Sequence, residues 1–262
     1  MSTVNGYTEK YGLIAFFDVI GVKKMDARGF ISFFNEWQSS FSGYIERRVA
    51  KSQSSKGIRV APDKEDVRVL GDTVIMPRAI EKQYARYNIN HYALTLHPIV
   101  RSGLMKGLLF RGAIAEGEYL VSQTAILGEA VNEAAEAHDM GQWGGIVLAL
   151  NTGIAYSNDF IGKEITDCEK NVIIEYDVPS KCSGKERMWT IAWPLAYEMA
   201  NRLSPDRTVK ARNEFLEHIE KARALSKPDE RAQSIFDNTI KYYDDYCRNN
   251  ADFIENATKK MN

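Results

Sequence analysis

Phe16-Phe17-Asp18-Val19-Ile20-Gly21-Val22 sets a carboxylate at the end of an apolar run, and Val69-Leu70-Gly71-Asp72-Thr73-Val74-Ile75-Met76 does so a second time. A lone carboxylate beside buried Phe, Val, Ile and Leu is costly unless something pairs with it. Two of them, each at the end of a strand, point to a shared cation site. Oxygen-only ligands suit Mg²⁺ or Mn²⁺, ions that travel with nucleoside triphosphates. The competing reading makes Asp18 and Asp72 ordinary turn or cap residues beside strands.

Outward from these runs, the pattern predicts alternating elements. Residues 11–19 (YGLIAFFDV) fit a buried strand. From Ala27, Phe30, Phe33, Phe34, Trp37, Phe41, Tyr44 and Ile45 recur at three- and four-residue steps, one face of a helix. The polar tract 51–64 (KSQSSKGIRVAPDK) reads as an exposed loop. Residues 67–70 and 73–76 form a hairpin about Gly71-Asp72, with Pro77 ending its second strand. A helix carrying Ile80, Tyr84, Tyr87 and Leu94 follows.

Residues 108–118 (LLFRGAIAEGE) form a strand whose glycines allow close backbone approach. Residues 128–140, rich in Ala and Glu, form a helix, and 145–150 (GIVLAL) a short strand. The order β, α, β, β, α, β, α, β is an α+β pattern with a mostly antiparallel sheet, of the ferredoxin-like or palm kind. Beyond about residue 159 the character shifts. Strand pieces at 172–178 and 188–193 precede charged helices over 207–225 and 229–248. Ser204-Pro205-Asp206 and Ser226-Lys227-Pro228-Asp229 supply their starts. The expected division is a catalytic domain over 11–150 and a mainly helical extension over 160–262.

Composition bounds the function. Of 262 residues, 44% are hydrophobic and 26% charged, a globular balance with a formal net charge of −1. No global field draws such a chain to nucleic acid or to an anionic membrane. Cys168, Cys182 and Cys247 form no CxxC pair, which argues against a zinc knuckle or a disulfide framework. The four histidines show neither H-x-x-x-H nor HExxH spacing. The first ten residues lack the apolar core of a signal peptide, and no stretch approaches the roughly 18 apolar residues of a membrane span. A cytoplasmic location is expected. The aromatics from Phe30 to Tyr44 read as core or dimer interface, with Trp37 and Tyr44 as minor pocket candidates, and the charged C-terminal helices read as solvated faces.

Three segments in order resemble the class III nucleotidyl cyclases. They are Phe17-Asp18-Val19-Ile20-Gly21, then Arg68-Val69-Leu70-Gly71-Asp72, then Arg111-Gly112-Ala113-Ile114-Ala115-Glu116-Gly117 followed by Gly128-Glu129-Ala130-Val131-Asn132-Glu133-Ala134-Ala135. The resemblance implies that Asp18, Asp72 and the main-chain carbonyl of Val19 hold two metal ions. It also implies that Phe17 and Gly21 border the substrate, and that Asn132 positions the ribose. Two cations about 4 Å apart suit cyclisation chemistry, since they lower the pKa of a hydroxyl and neutralise leaving oxygens. The family usually carries Arg four residues after that Asn, where this chain has Glu136; Arg111 or Arg68 is the substitute cation. Arg68 also stands where adenylate cyclases commonly have Lys and guanylate cyclases Glu.

These departures, the stretch Gly128 to Glu136 and Trp143 beyond it are similar to the pyrimidine cyclases of bacterial Pycsar anti-phage systems. That resemblance implies a homodimer with two composite sites that makes cyclic UMP or cyclic CMP for a separate effector. UTP is the expected substrate and CTP the alternative, because a guanidinium such as Arg68 donates to the carbonyl oxygens of uracil. A catalytically inactive cyclase-like domain that binds a nucleotide or a partner is the rival from another class. A palm-like nucleotidyltransferase is a third reading, weakened by the absence of a GGDEF run.

Overall fold

A computed structural model of the chain describes residues 3–4, 6–20, 28, 31–32, 35, 68–80, 85–149, 172–181, 184–226 and 230–259. The helix expected from Ala27 and the polar loop 51–64 lie largely or wholly outside them, as does Gly21. The strands are β1 (Thr3–Val4), β2 (Tyr7–Ile20), β3 (Arg68–Leu70), β4 (Thr73–Ala79), β5 (Leu109–Val121), β6 (Ile126–Leu127), β7 (Ile146–Leu148), β8 (Ile173–Ser180) and β9 (Gly184–Ile191). The helices are α1 (Ala85–Met105), α2 (Glu129–Ala137), α3 (Leu195–Ala200), α4 (Arg207–Ser226), α5 (Glu230–Asn249) and α6 (Ala251–Lys259).

The strands make one sheet in the order β3-β4-β2-β5-β7-β9-β8, with β1 on β2 and β6 on β5. All pairings are antiparallel except β5 with β7. The fold is therefore α+β with a mostly antiparallel sheet and a C-terminal helical part, as the sequence pattern predicts. The β8–β9 hairpin extends that same sheet through β7, where Val147 pairs with Thr190.

Two faces of the sheet bury different elements. Leu13, Phe17 and Val19 of β2 and Val74 and Met76 of β4 pack with Ile89, Tyr92, Leu96 and Val100 of α1 and with Phe215 and Phe236 further on. Ile14, Ile75, Ala115 and Tyr119 pack instead under Ala130, Val131 and Ala134 of α2. The small residues of α2 let that helix sit close: a Cβ added at Gly117 would lie 3.3 Å from Ala130 Cβ. Each fully buried Leu, Val or Ile in these layers contributes about 1.5–3 kcal/mol.

Two expectations are corrected. Pro77 does not end the second hairpin strand, because β4 runs on to Ala79 with Pro77 opposite Ile14. Ile80 N–H donates to the Tyr11 carbonyl, so the alternation along β4 turns the nitrogen of Pro77 away from β2. On that outer side the described residues of β3 pair only as far as Ile75, so among the described residues no ladder bond is lost. Ile80, expected on the helix that follows, lies just past β4, and the helix that carries Leu94 runs Ala85–Met105 through an internal Pro98. Leu96, Ile99, Val100 and Leu104 continue its buried stripe, and that burial outweighs the one hydrogen bond a proline removes.

Candidate active site

The end of β2 places Asp18 between two strands, in register with Thr73 on β4 and with Arg111 on β5. Cross-strand partners share a face of the sheet. Asp18 therefore lies on the α2 side, two residues beyond Phe16, whose ring packs 4.8 Å from that of His138 at the end of α2. Gly71 makes the β3–β4 turn with φ of 65°, a left-handed conformation that side chains resist, and Asp72 follows it. The Asp72 carbonyl accepts the Val19 N–H at 3.0 Å, which fixes the turn against the end of β2.

Burial and the nearby Asp72 carboxylate push the Asp18 carboxyl above its ordinary pKa, against the opposing charges of Arg111 and His138. Two like charges in one another's field ask for a cation. Arg111 is a partial answer: its Nη2 stands 3.4 Å from Asp18 Oδ2 and 2.8 Å from Asp139 Oδ1. Its Nη1 donates to the Gly141 carbonyl at 3.4 Å. Asp139 Oδ2 takes the Lys181 ammonium from the turn after β8. Lys181 and Arg111 hold the Asp139 carboxyl below its ordinary value although burial opposes them.

The turn after α2 is stitched to the end of β8. Gln142 N–H donates to the Pro179 carbonyl at 2.6 Å, and Lys181 N–H to the Met140 carbonyl at 3.3 Å. Gly141 bridges Ser180 between them. These bonds place Asp139 within reach of Lys181.

Of the residues singled out from sequence, Asp18, Val19, Asp72 and Arg111 come together. The Phe17 side chain does not reach this face. It is 1% exposed and packs edge-on to Phe110, which leaves only its main chain for any contact with substrate. Asn132 is exposed on α2, as is Glu136. Arg68, on the edge strand β3, donates from Nη2 to the Ser122 carbonyl at 2.7 Å, past the opposite end of β5 from Arg111. His138, Asp139 and Lys181 were not anticipated. Their only sequence signal was polar residues at a helix end and in a hairpin turn.

Among the described residues no group of three or more His, Cys, Asp or Glu side chains is assembled for a metal. The donor set at the end of β2 is two carboxylates, oxygen-only and partly buried. It fits a hard divalent cation that takes its remaining ligands from water or phosphate.

No protein-family model matches the chain, and comparison with curated proteins gives no match. Solved structures do resemble it. An adenylate/guanylate cyclase/hydrolase from Silicibacter pomeroyi aligns with a TM-score of 0.40 and 13% identity, over 71% of this chain and 98% of that one. A bacterial light-regulated adenylyl cyclase aligns with a TM-score of 0.43 and 12% identity, over 86% of this chain and 58% of that one. Likeness of this extent says nothing about which residues act. Among the described residues no helix is long and apolar enough to cross a membrane.

Proposed function

We propose that the chain is a nucleotidyl cyclase that converts a pyrimidine nucleoside triphosphate, UTP by preference, into its 3′,5′-cyclic nucleotide and pyrophosphate. The observation that carries this reading is the pairing of Asp18 and Asp72 at adjoining strand ends with Arg111 directly across from Asp18. The class III motifs run through the same residues. Asp18, Asp72 and the Val19 carbonyl are the ligands for Mn²⁺ or Mg²⁺. When bound, such ions lower the pKa of the ribose 3′-hydroxyl and offset charge on the departing pyrophosphate.

Arg111 supplies a fixed guanidinium for phosphate oxygens, a role that suits its planar fork and that Glu136 cannot fill. Asn132 orients the ribose and Arg68 reads the base. Both stand apart from the carboxylate pair, so the reading places them in the site of a partner subunit of a homodimer. The product is then a messenger for a separate effector in anti-phage defence, in a cytoplasmic setting.

The second reading, an inactive nucleotide-binding domain, is favoured by Glu136 alone. Incubating the purified protein with equal concentrations of the four nucleoside triphosphates and Mn²⁺, then separating the products, discriminates these readings. Cyclic UMP as main product is expected. Cyclic CMP overturns the uracil preference, cyclic AMP or cyclic GMP the pyrimidine assignment, and no cyclic product from any of them the cyclase itself.

A further inference from the structure

One nitrogen in the site is contested. Arg111 Nη2 faces Asp139 Oδ1 at 2.8 Å and Asp18 Oδ2 at 3.4 Å. Charge-assisted N–H···O bonds run at about 2.7–2.9 Å, and 3.4 Å lies beyond the ordinary range. Arg111 is therefore held chiefly by Asp139, although the ladder sets it opposite Asp18. Opposite charges at directly paired positions attract, so closure onto Asp18 is what the sheet alone would favour. A guanidinium seated on Asp18 would cover the carboxylate oxygens and cancel the charge that draws a cation.

We propose that Asp139, anchored by Lys181, is a positioning residue that draws the Arg111 guanidinium off Asp18 and so keeps the Asp18 carboxylate open to a divalent cation. This rests on the reading of Asp18 as a cation ligand. Asp139 is 47% exposed, so its carboxylate needs fixing, and Lys181 takes its second oxygen. The backbone bonds from Gln142 to Pro179 and from Lys181 to Met140 set the separation of the two side chains. Lys181, just after β8, thus belongs to the site, although it lies far along the chain from the carboxylate pair. Arg111 is kept where it faces incoming phosphate, and Asp18 where it faces metal.

The test measures Mn²⁺ affinity of the full chain without nucleotide, by electron paramagnetic resonance of the free ion. Asp139→Asn is expected to weaken binding about tenfold, the lower end of the range for residues that support metal ligands. Arg111→Ala alone should not weaken it. In the Arg111→Ala background, Asp139→Asn should have little further effect, since the competitor is gone. Equal losses in both backgrounds would mean that Asp139 acts only through its charge, and would overturn the proposal. Lys181→Met should give a smaller loss with the same dependence on Arg111, and it carries the test if Asp139→Asn does not fold. Absence of Mn²⁺ binding in the wild type, or binding that survives Asp18→Asn unchanged, overturns both the ligand reading and this inference. Binding through Asp18 without cyclic product overturns the cyclase reading and leaves this inference standing.

Discussion

Asp18 of β2 and Arg111 of β5 occupy directly opposed positions in the central antiparallel pair, with Arg111 Nη2 3.4 Å from Asp18 Oδ2. The strand register sets the two residues opposite each other, and the contact with Asp139 goes with the distance at which the guanidinium stands off. Sites built on strands hold their side chains more tightly than sites on loops. A change at either residue therefore acts on the chemistry with little freedom to relax around it.

Replacing Asp18 by Asn keeps the shape and removes the charge. On the proposed reading, loss of a cation ligand should lower product formation about a hundredfold or more. Stability without metal should hold or rise slightly, because a partly buried carboxylate that repels Asp72 becomes neutral. Product assays and thermal melts on the same sample check both halves. Near-normal activity in Asp18→Asn would remove Asp18 from the cation site.

Gly112 lies next to Arg111, in register with Phe17 of β2. A Cβ there would sit 2.4 Å from Phe17 Cδ1 and 2.6 Å from the Phe16 carbonyl oxygen. The ring can turn away, but the carbonyl belongs to the ladder that carries Asp18. Gly112→Ala should cost about 1–3 kcal/mol in denaturant unfolding, as overpacking does. It should also depress activity by shifting Asp18 against Arg111. A variant as stable as the wild type would mean that the strands separate more easily than this contact implies.

The strand-end carboxylates, the hairpin about Gly71, the α2 segment and the two long C-terminal helices were legible because each is a local pattern of apolar period, turn residue or cap. The register that sets Asp18 against Arg111 was not, since the pairing joins residues 93 apart and apolar runs on both strands allow more than one alignment. Pro77 misled because the breaker rule ignores which way a proline's nitrogen faces in the ladder. Asp139 and Lys181 meet only through the packing of two turns, which no periodicity encodes. Short elements such as α3 and β6 carry too few residues for a pattern.

Glu198 predicts a pH dependence remote from the site. It is fully buried at the junction of α3 and α5 and accepts from Tyr243 Oη at 3.1 Å and from Cys247 Sγ at 3.6 Å. Burial pushes its carboxyl above the ordinary value more strongly than the bonds from Tyr243 and Cys247 lower it. The native state then binds the proton more tightly than the unfolded chain does. The protonated acid's contribution is fully present below the unfolded pKa and is lost as pH rises through the raised native one. Glu198→Gln should remove that slope and match or exceed wild-type stability above it. Denaturant midpoints from pH 4 to 8 decide the matter, and parallel slopes for the two proteins would rule Glu198 out as their source.

The composite dimer proposed above makes the last prediction. Asn132 is exposed on α2, so Asn132→Ala should change stability by no more than about 0.5 kcal/mol. If Asn132 serves the site whose cations sit on the partner subunit, Asn132→Ala and Asp72→Ala should each be inactive alone. After exchange at equal amounts, half of the dimers are mixed and each holds one intact site of two. Activity should then recover to about a quarter of wild type, a consequence of two-fold symmetry. Mixing Asp72→Ala with Asp18→Ala should recover nothing, since the cation side of every site then comes from one or the other mutant chain. Recovery in the first mixture and not the second fixes the arrangement. No recovery after exchange, verified by mass-tagged subunits, would assign cation ligands and Asn132 to one and the same chain.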